Sequence, residues 1–215
     1  MKKIIAAAAA VILTAGLTAC SGDSSGVSSA VLADSQTALT TQDIRITIPP
    51  DWEVYSGKQV YKYLYENSNE GFDSADDLQK SYEDSGTSRL IYAMNKDKTA
   101  VLSLTALDIT TDETTGERLT VEEYARQNHD TGVFSYQASG MFIRNSSFGE
   151  ETAAGKTGFM SHYEVCTDED VSTLLMGQSE FIYENNGKFC SLQVYYQSED
   201  AAAETDSILA GVSAE

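Results

Sequence analysis

The run from Gly158 to Gln197 constrains the fold most. Three apolar stretches, Gly158 to Thr167, Val171 to Glu184 and Lys188 to Gln197, follow one another with only short turns between them. Asn185-Asn186-Gly187, between the last two, is a strong hairpin signal, because a two-residue turn of this kind needs residues that tolerate positive φ. The stretches therefore read as consecutive strands of an antiparallel meander. Upstream, Arg89 to Met94 and Ala100 to Ile109 are apolar on both faces and joined by Asn95-Lys96-Asp97-Lys98. They look like central strands covered on both sides. Met141 to Glu150 reads as a further strand.

Helical segments interrupt this series. Ser74 to about Asp84 carries Ala75, Leu78 and Tyr82 on one side, and Gly86 stops it. Thr120-Val121-Glu122-Glu123 is a capping box that opens a helix with Val121, Tyr124, Ala125 and Asn128 on one face. Asp200 to about Val212 predicts a final helix that buries Ala201, Thr205 and Ile208, with Leu209 or Val212. Near the start of the domain, Ile44, Ile46 and Ile48 alternate with Asp43, Arg45 and Thr47 in a strand with one buried face. The two prolines of the chain, Pro49 and Pro50, end it in a rigid corner, and the single tryptophan, Trp52, follows as a core lid. Val60 to Asn67 alternates as well and reads as a strand with Tyr61, Tyr63 and Tyr65 on one face. Those tyrosines form either a binding platform or a layer packed beneath a helix. The expected class is α+β, an antiparallel β-sheet flanked by helices on both faces.

The N-terminus suggests where such a domain resides. Lys2 and Lys3 precede an apolar run from Ile4 to Gly16. That run is shorter than the roughly 20 residues of a membrane-spanning helix, but it has the length and flanks of a secretory signal. It ends in Leu17-Thr18-Ala19-Cys20, which resembles the lipobox of bacterial lipoproteins. The resemblance implies that residues 1–19 are a signal peptide and that Cys20 becomes the lipidated first residue. The acyl chains, palmitate among them, would hold the protein on the extracytoplasmic face of a bacterial cell membrane without crossing it. Residues 20–41, rich in Ser, Gly, Ala and Thr, are expected to form a flexible tether with a reach of about 25 Å. Residues 42–215 are the size of one domain.

Charge and cysteines narrow the partners. The sequence has 33 Asp+Glu against 14 Lys+Arg, a formal net charge of −19. That acidity argues against nucleic acid and against adhesion to anionic lipid. Contact with the membrane is therefore expected through the lipid anchor only. In a meander, Cys166 and Cys190 lie two strand spacings apart, about 9–10 Å, beyond the roughly 7 Å that a disulfide tolerates. Two buried free thiols are the favoured state.

Several elements together resemble the PsbP-like fold. They are the strand ending in Pro49-Pro50 with Trp52 close behind, the capped helix at Thr120, the glycine turn Ala153-Ala154-Gly155-Lys156 ahead of the strand run, and the apolar closing helix. That fold is shared by PsbP subunits of photosystem II, Ran-binding Mog proteins and small bacterial lipoproteins. The resemblance spans roughly Gln42 to Val212 and implies an α/β/α sandwich scaffold. It carries over no catalytic motif. The tyrosine-rich stretch after the first corner is longer than in the family.

Gly155-Lys156-Thr157 matches the end of a P-loop, but Gly149 stands one place too far upstream and a strand follows where a helix is required. No paired Cys or His spacing supports zinc, and no G-x-S-x-G elbow appears. His162, Glu164 and Cys166 share a strand face at two-residue steps, with Cβ spacings of about 7 Å, too long for a relay. Asp168-Glu169-Asp170 lacks the spaced ligands of an EF-hand. No catalytic residue, metal or cofactor is assigned. The preferred reading is a non-catalytic binding or interaction module of the cell envelope. Its partner would be an envelope protein, peptide or glycan, with Tyr61, Tyr63 and Tyr65 as candidate contacts. An envelope hydrolase with an unfamiliar site and a structural or assembly factor are the alternatives.

Overall fold

A computed structural model describes residues 26–32, 35–67, 71–112 and 115–215. In chain order the elements are β1 (Ser28–Val31), β2 (Thr37–Thr41), β3 (Ile44–Ile48), β4 (Glu53–Ser56), α1 (Lys58–Asn67), α2 (Ala75–Asp84), β5 (Thr87–Met94), β6 (Ala100–Asp108), α3 (Val121–Ala138), β7 (Phe142–Ala153), β8 (Lys156–Cys166), β9 (Leu174–Asn185), β10 (Lys188–Tyr196), α4 (Glu199–Ala210) and β11 (Ser213–Ala214). Seven strands form one antiparallel sheet in the order β4-β5-β6-β10-β9-β8-β7, and four form a small second sheet, β1-β2-β3-β11.

Turn chemistry fixes the hairpins. Asn186 and Gly187 sit at φ 50° and 75°, and Ala154 and Gly155 at 53° and 72°. Each pair makes the two-residue turn whose twist matches the flanking strands. Gly155-Lys156-Thr157 thus belongs to the β7–β8 hairpin, and Lys156 Nζ is engaged by Asp43 at 2.9 Å and Asn185 at 3.0 Å. Helix starts follow side-chain caps. Ser74 accepts from the Asp77 N–H, Ser198 from the Ala201 N–H, and Thr120 and Glu123 close a reciprocal capping box.

The large sheet is covered on both faces. Strand alternation sends Ile91, Ala93, Leu102, Leu104, Leu192 and Val194 to one side, where they meet Leu39, Ile44, Ile46 and Ile48 of the small sheet and Ala201 and Ile208 of α4. The opposite parity sends Ile182 and Phe189 toward Ala125 and Tyr124 of α3. The helices α1 and α2 lie on that same side, against β5. Trp52 is buried, and its indole N–H donates to Glu204 of α4 at 2.7 Å. The tryptophan after the proline corner therefore closes the core beneath the last helix.

Two expectations are corrected. The stretch from Val60 to Asn67 is helical, not a strand. The tyrosines alternate, but Val60, Tyr61 and Leu64 form an i, i+1, i+4 stripe facing inward, and Lys62 pairs with Glu66 one turn on. Nor is the expected tether of residues 20–41 unstructured throughout its described part. Within it β1 and β2 form a hairpin, Ala38, Leu39 and Thr41 are buried, and Leu39 pairs with Ile46 of β3. Thr and Ala dilute the apolar signal there, so the two-residue period is hard to see, although Thr suits a half-buried strand. Residues 1–25, which include Cys20 and the signal segment, lie outside the described residues.

Cys166 and Cys190 are free and buried. Cys190 faces Tyr183 across β9, and Tyr183 faces Gly158 at the far end of β8 from Cys166. The separation along the strands thus adds to the separation across them. Burial pushes the Cys190 thiol up to about 11, which keeps it protonated and unreactive at neutral pH.

Candidate functional site

The helical conformation of α1 separates the three tyrosines. Positions 61 and 65 are one turn apart, while 63 points about 200° away. Tyr61 is buried, and its hydroxyl accepts from the Arg89 N–H at 2.9 Å. Tyr65 lies at the outer end, and its hydroxyl donates to the Asp73 carbonyl at 3.1 Å. Tyr63 packs over the edge of the large sheet. Its ring stacks on Tyr55 of β4 at 4.4 Å and on Tyr92 of β5 at 5.3 Å, and its hydroxyl contacts Met94 Sδ. The shared face expected of Tyr61, Tyr63 and Tyr65 does not form. A different aromatic unit, Tyr55–Tyr63–Tyr92, replaces it.

Tyr55 and Tyr63 of this stack wall a cleft of about 510 Å³ between α1 and β4. Lys62, Glu66, Glu53 and Lys98 bring both signs of charge to its rim, and Gln59 and Asn67 add amides. Tyr55 donates its hydroxyl to Glu53 at 3.0 Å. Burial, then the Glu53 carboxylate, push the Tyr55 hydroxyl above its ordinary range, so it remains a neutral donor. Aromatic carbon framed by amides and carboxylates can stack on the apolar face of a ligand while binding its polar edges.

The polar strand face of β8 is tied up internally. Glu164 accepts from Arg144 Nε at 2.6 Å, Asn145 Nδ2 at 2.7 Å and the Tyr196 hydroxyl at 2.9 Å. Burial opposes its charge, but these hydrogen bonds win and hold the carboxyl below the usual range. His162 Nδ1 lies 2.9 Å from Ser179 Oγ, and Cys166 Sγ faces the Val171 carbonyl at 3.6 Å. Each group has its own partner, and no relay links them. His129 lies on α3 between Ser161 Oγ, at 2.8 Å, and Ser146 Oγ, at 3.2 Å, with burial lowering its pKa. Asp168 accepts from the Ser172 and Thr173 N–H groups at 2.7 and 2.8 Å, so its carboxylate folds its own loop. Among the described residues no group of three His, Cys, Asp or Glu side chains is placed to hold a metal ion.

Sequence reasoning missed a second polar region. Between α3 and the sheet lies a groove of about 390 Å³, lined by Asn128, Thr131, Tyr163, Gln178, Glu180 and Gln193. Glu180 is only 4% exposed and accepts from the Ser191 hydroxyl at 2.6 Å. Tyr163 donates to Gln178 at 2.8 Å. Gly132 of α3 admits the Tyr163 hydroxyl, because a Cβ there would collide with it. The available signal was an acid in mid-strand, where the neighbouring Phe181 and Ile182 already imply burial on both faces.

Comparisons with known proteins bear on the fold. No family model matches the sequence, and none of the curated proteins matches it. Cyanobacterial PsbP (CyanoP) from Synechocystis sp. PCC 6803 superposes with a TM-score of 0.51 at 12% identity, covering 86% of this chain and 95% of that one. LpqN of Mycobacterium tuberculosis, a protein involved in cell envelope biogenesis, superposes more loosely, with a TM-score of 0.41 at 10% identity, over 87% of this chain and 89% of its own. Among the described residues no helix is long and apolar enough to cross a membrane. The antiparallel sheet, its helices on both faces and the overlap with CyanoP give this chain a PsbP-like α+β fold.

Proposed function

We propose that the protein is a non-catalytic binding module of the bacterial cell envelope, held on the extracytoplasmic face of a membrane by lipid on Cys20. Its contact site is the α1/β4 cleft, and its ligand is an envelope glycan. The tyrosine stack in a cleft with a mixed-charge, amide-bearing rim carries this reading. Sugars offer an apolar ring face edged with hydroxyls, which this combination of surfaces complements. The anchor rests on the order of basic, apolar and small residues before Cys20.

The test pairs two variants of the full chain. Cys20→Ser should release the protein from the membrane fraction. Tyr55→Ala should weaken binding of cell-wall glycan fragments about tenfold or more, read by chemical-shift titration, and shifts in the native protein should centre on Gln59, Lys62 and Asn67. Glycan binding unchanged by Tyr55→Ala would overturn the site.

A further inference from the structure

The α3 groove contains a buried carboxyl for which the glycan reading has no role. We propose that this groove is a second ligand site, selective for a small organic cation with a primary ammonium group, and that Glu180 is its counter-charge.

Three observations support this. Glu180 lines the groove yet is almost fully buried, and its recorded contacts are neutral, the Ser191 hydroxyl and the Asn128 amide. No ion pair among the described residues involves it. A buried carboxyl is normally matched by a cation, and here the groove that Glu180 lines has no Lys, Arg or His in its wall. Secondly, tyrosines stand near it. Tyr163 lines the groove, and Tyr124 of α3 and Tyr195 of β10 lie close enough to sense its charge. A carboxylate beside tyrosine rings favours an ammonium group, through the ion pair and through the ring faces. Thirdly, Asn128, Thr131, Gln178 and Gln193 supply carbonyl and hydroxyl acceptors for the remaining ammonium protons. The net charge of −19 raises the local concentration of such cations.

Binding has a proton signature. Burial raises the Glu180 pKa in the empty groove, so the carboxyl tends to hold a proton there. A bound ammonium favours the carboxylate, and the proton leaves to solvent. Tyr124, Tyr163 and Tyr195, which sense the Glu180 charge, stay neutral in this range. His129 of α3, whose Nδ1 lies against Ser161, the cross-strand partner of Glu180, titrates as well, with burial lowering its pKa, so loss of the signal in Glu180→Gln is what assigns it.

The experiment titrates the full chain with n-butylammonium and with its uncharged N-acetyl form, N-butylacetamide, following backbone and side-chain amide shifts. The amine should shift the side-chain amides of Gln178, Gln193 and Asn128, bind about tenfold or more tighter than the acetamide, and weaken about tenfold for each pH unit below the Glu180 pKa. Glu180→Gln should erase the preference while leaving any acetamide binding in place. Equal binding of the two probes would mean a neutral polar groove and would overturn the proposal. So would an amine response unchanged by Glu180→Gln, or amine shifts confined to Tyr55 and Lys62 of the other cleft. The probe comparison needs only the native protein, so a poorly folding variant does not blunt it.

Discussion

At Glu180 the fold tolerates a carboxyl that its surroundings favour in neutral form. Burial raises its pKa in the folded protein, whereas the unfolded chain ionises near pH 4.3. Below that pH both states are protonated, and the residue is silent. As pH rises through the unfolded value, the unfolded chain loses its proton first, and stability falls until the folded pKa is reached. Glu180→Gln removes this slope. It should leave the melting temperature nearly unchanged near pH 4 and raise it near pH 7. Thermal melts across that range check this, and a parallel pH dependence in both proteins would contradict it. Glu164 has the opposite sign. Burial works against its charge, but Arg144, Tyr196 and Asn145 outweigh it, so its contribution is present above the ordinary carboxylate range and lost as pH falls through its lowered folded value. The two acids were equally visible as letters in the sequence. Their environments differ because the β7–β8 register sets Arg144 directly opposite Glu164, whereas no Arg or Lys stands opposite Glu180 in its strand pairs, and that register is a tertiary fact.

Among the elements, α3 forms one wall of the amine groove and is held in place by its first turn. The capping box at Thr120 and Glu123 satisfies two N-terminal donors, and Glu122 and Glu123 suit the helix dipole. Thr120→Ala should cost about 1 kcal/mol and lower the melting temperature by about 2–4 °C. It should leave glycan binding at the α1/β4 cleft intact, as thermal melts and the glycan titration would show. This cap was readable directly from Thr-Val-Glu-Glu, as were the Asn186-Gly187 hairpin and the proline corner before Trp52. Each is a local rule in which a few adjacent residues decide the outcome. The misread elements followed no such rule. In α1 the strand-like alternation of tyrosines competed with the helical stripe of Val60, Tyr61 and Leu64, and packing against β5 favoured the stripe. In β1 and β2 the residues are weakly apolar, and pairing of β2 with β3, and of β1 with β2, is what organises them. The cleft was half legible. Tyr63 was singled out, but its stacking partners Tyr55 and Tyr92 come from β4 and β5, and nothing in the local sequence joins them.

Across the whole molecule, the large sheet is sandwiched between α1, α2 and α3 on one side and the small sheet with α4 on the other. Both proposed sites lie on or beside the first side, and the larger of the two apolar clusters lies on the second. Removing residues 26–41 tests that division. A simple tether could be deleted without loss, but here the deletion strips Ala38 and Leu39 from the core and uncovers the edge of β3. The shortened protein should unfold well below the full chain and aggregate, because an exposed edge strand invites pairing. An unchanged melting temperature would return β1 and β2 to the tether. The binding role itself is tested most directly by native mass spectrometry of the full chain, released gently from the envelope of its own cells. The account predicts a retained glycan mass on the native protein that is absent from the Tyr55→Ala variant. A bare chain mass for both proteins would contradict it.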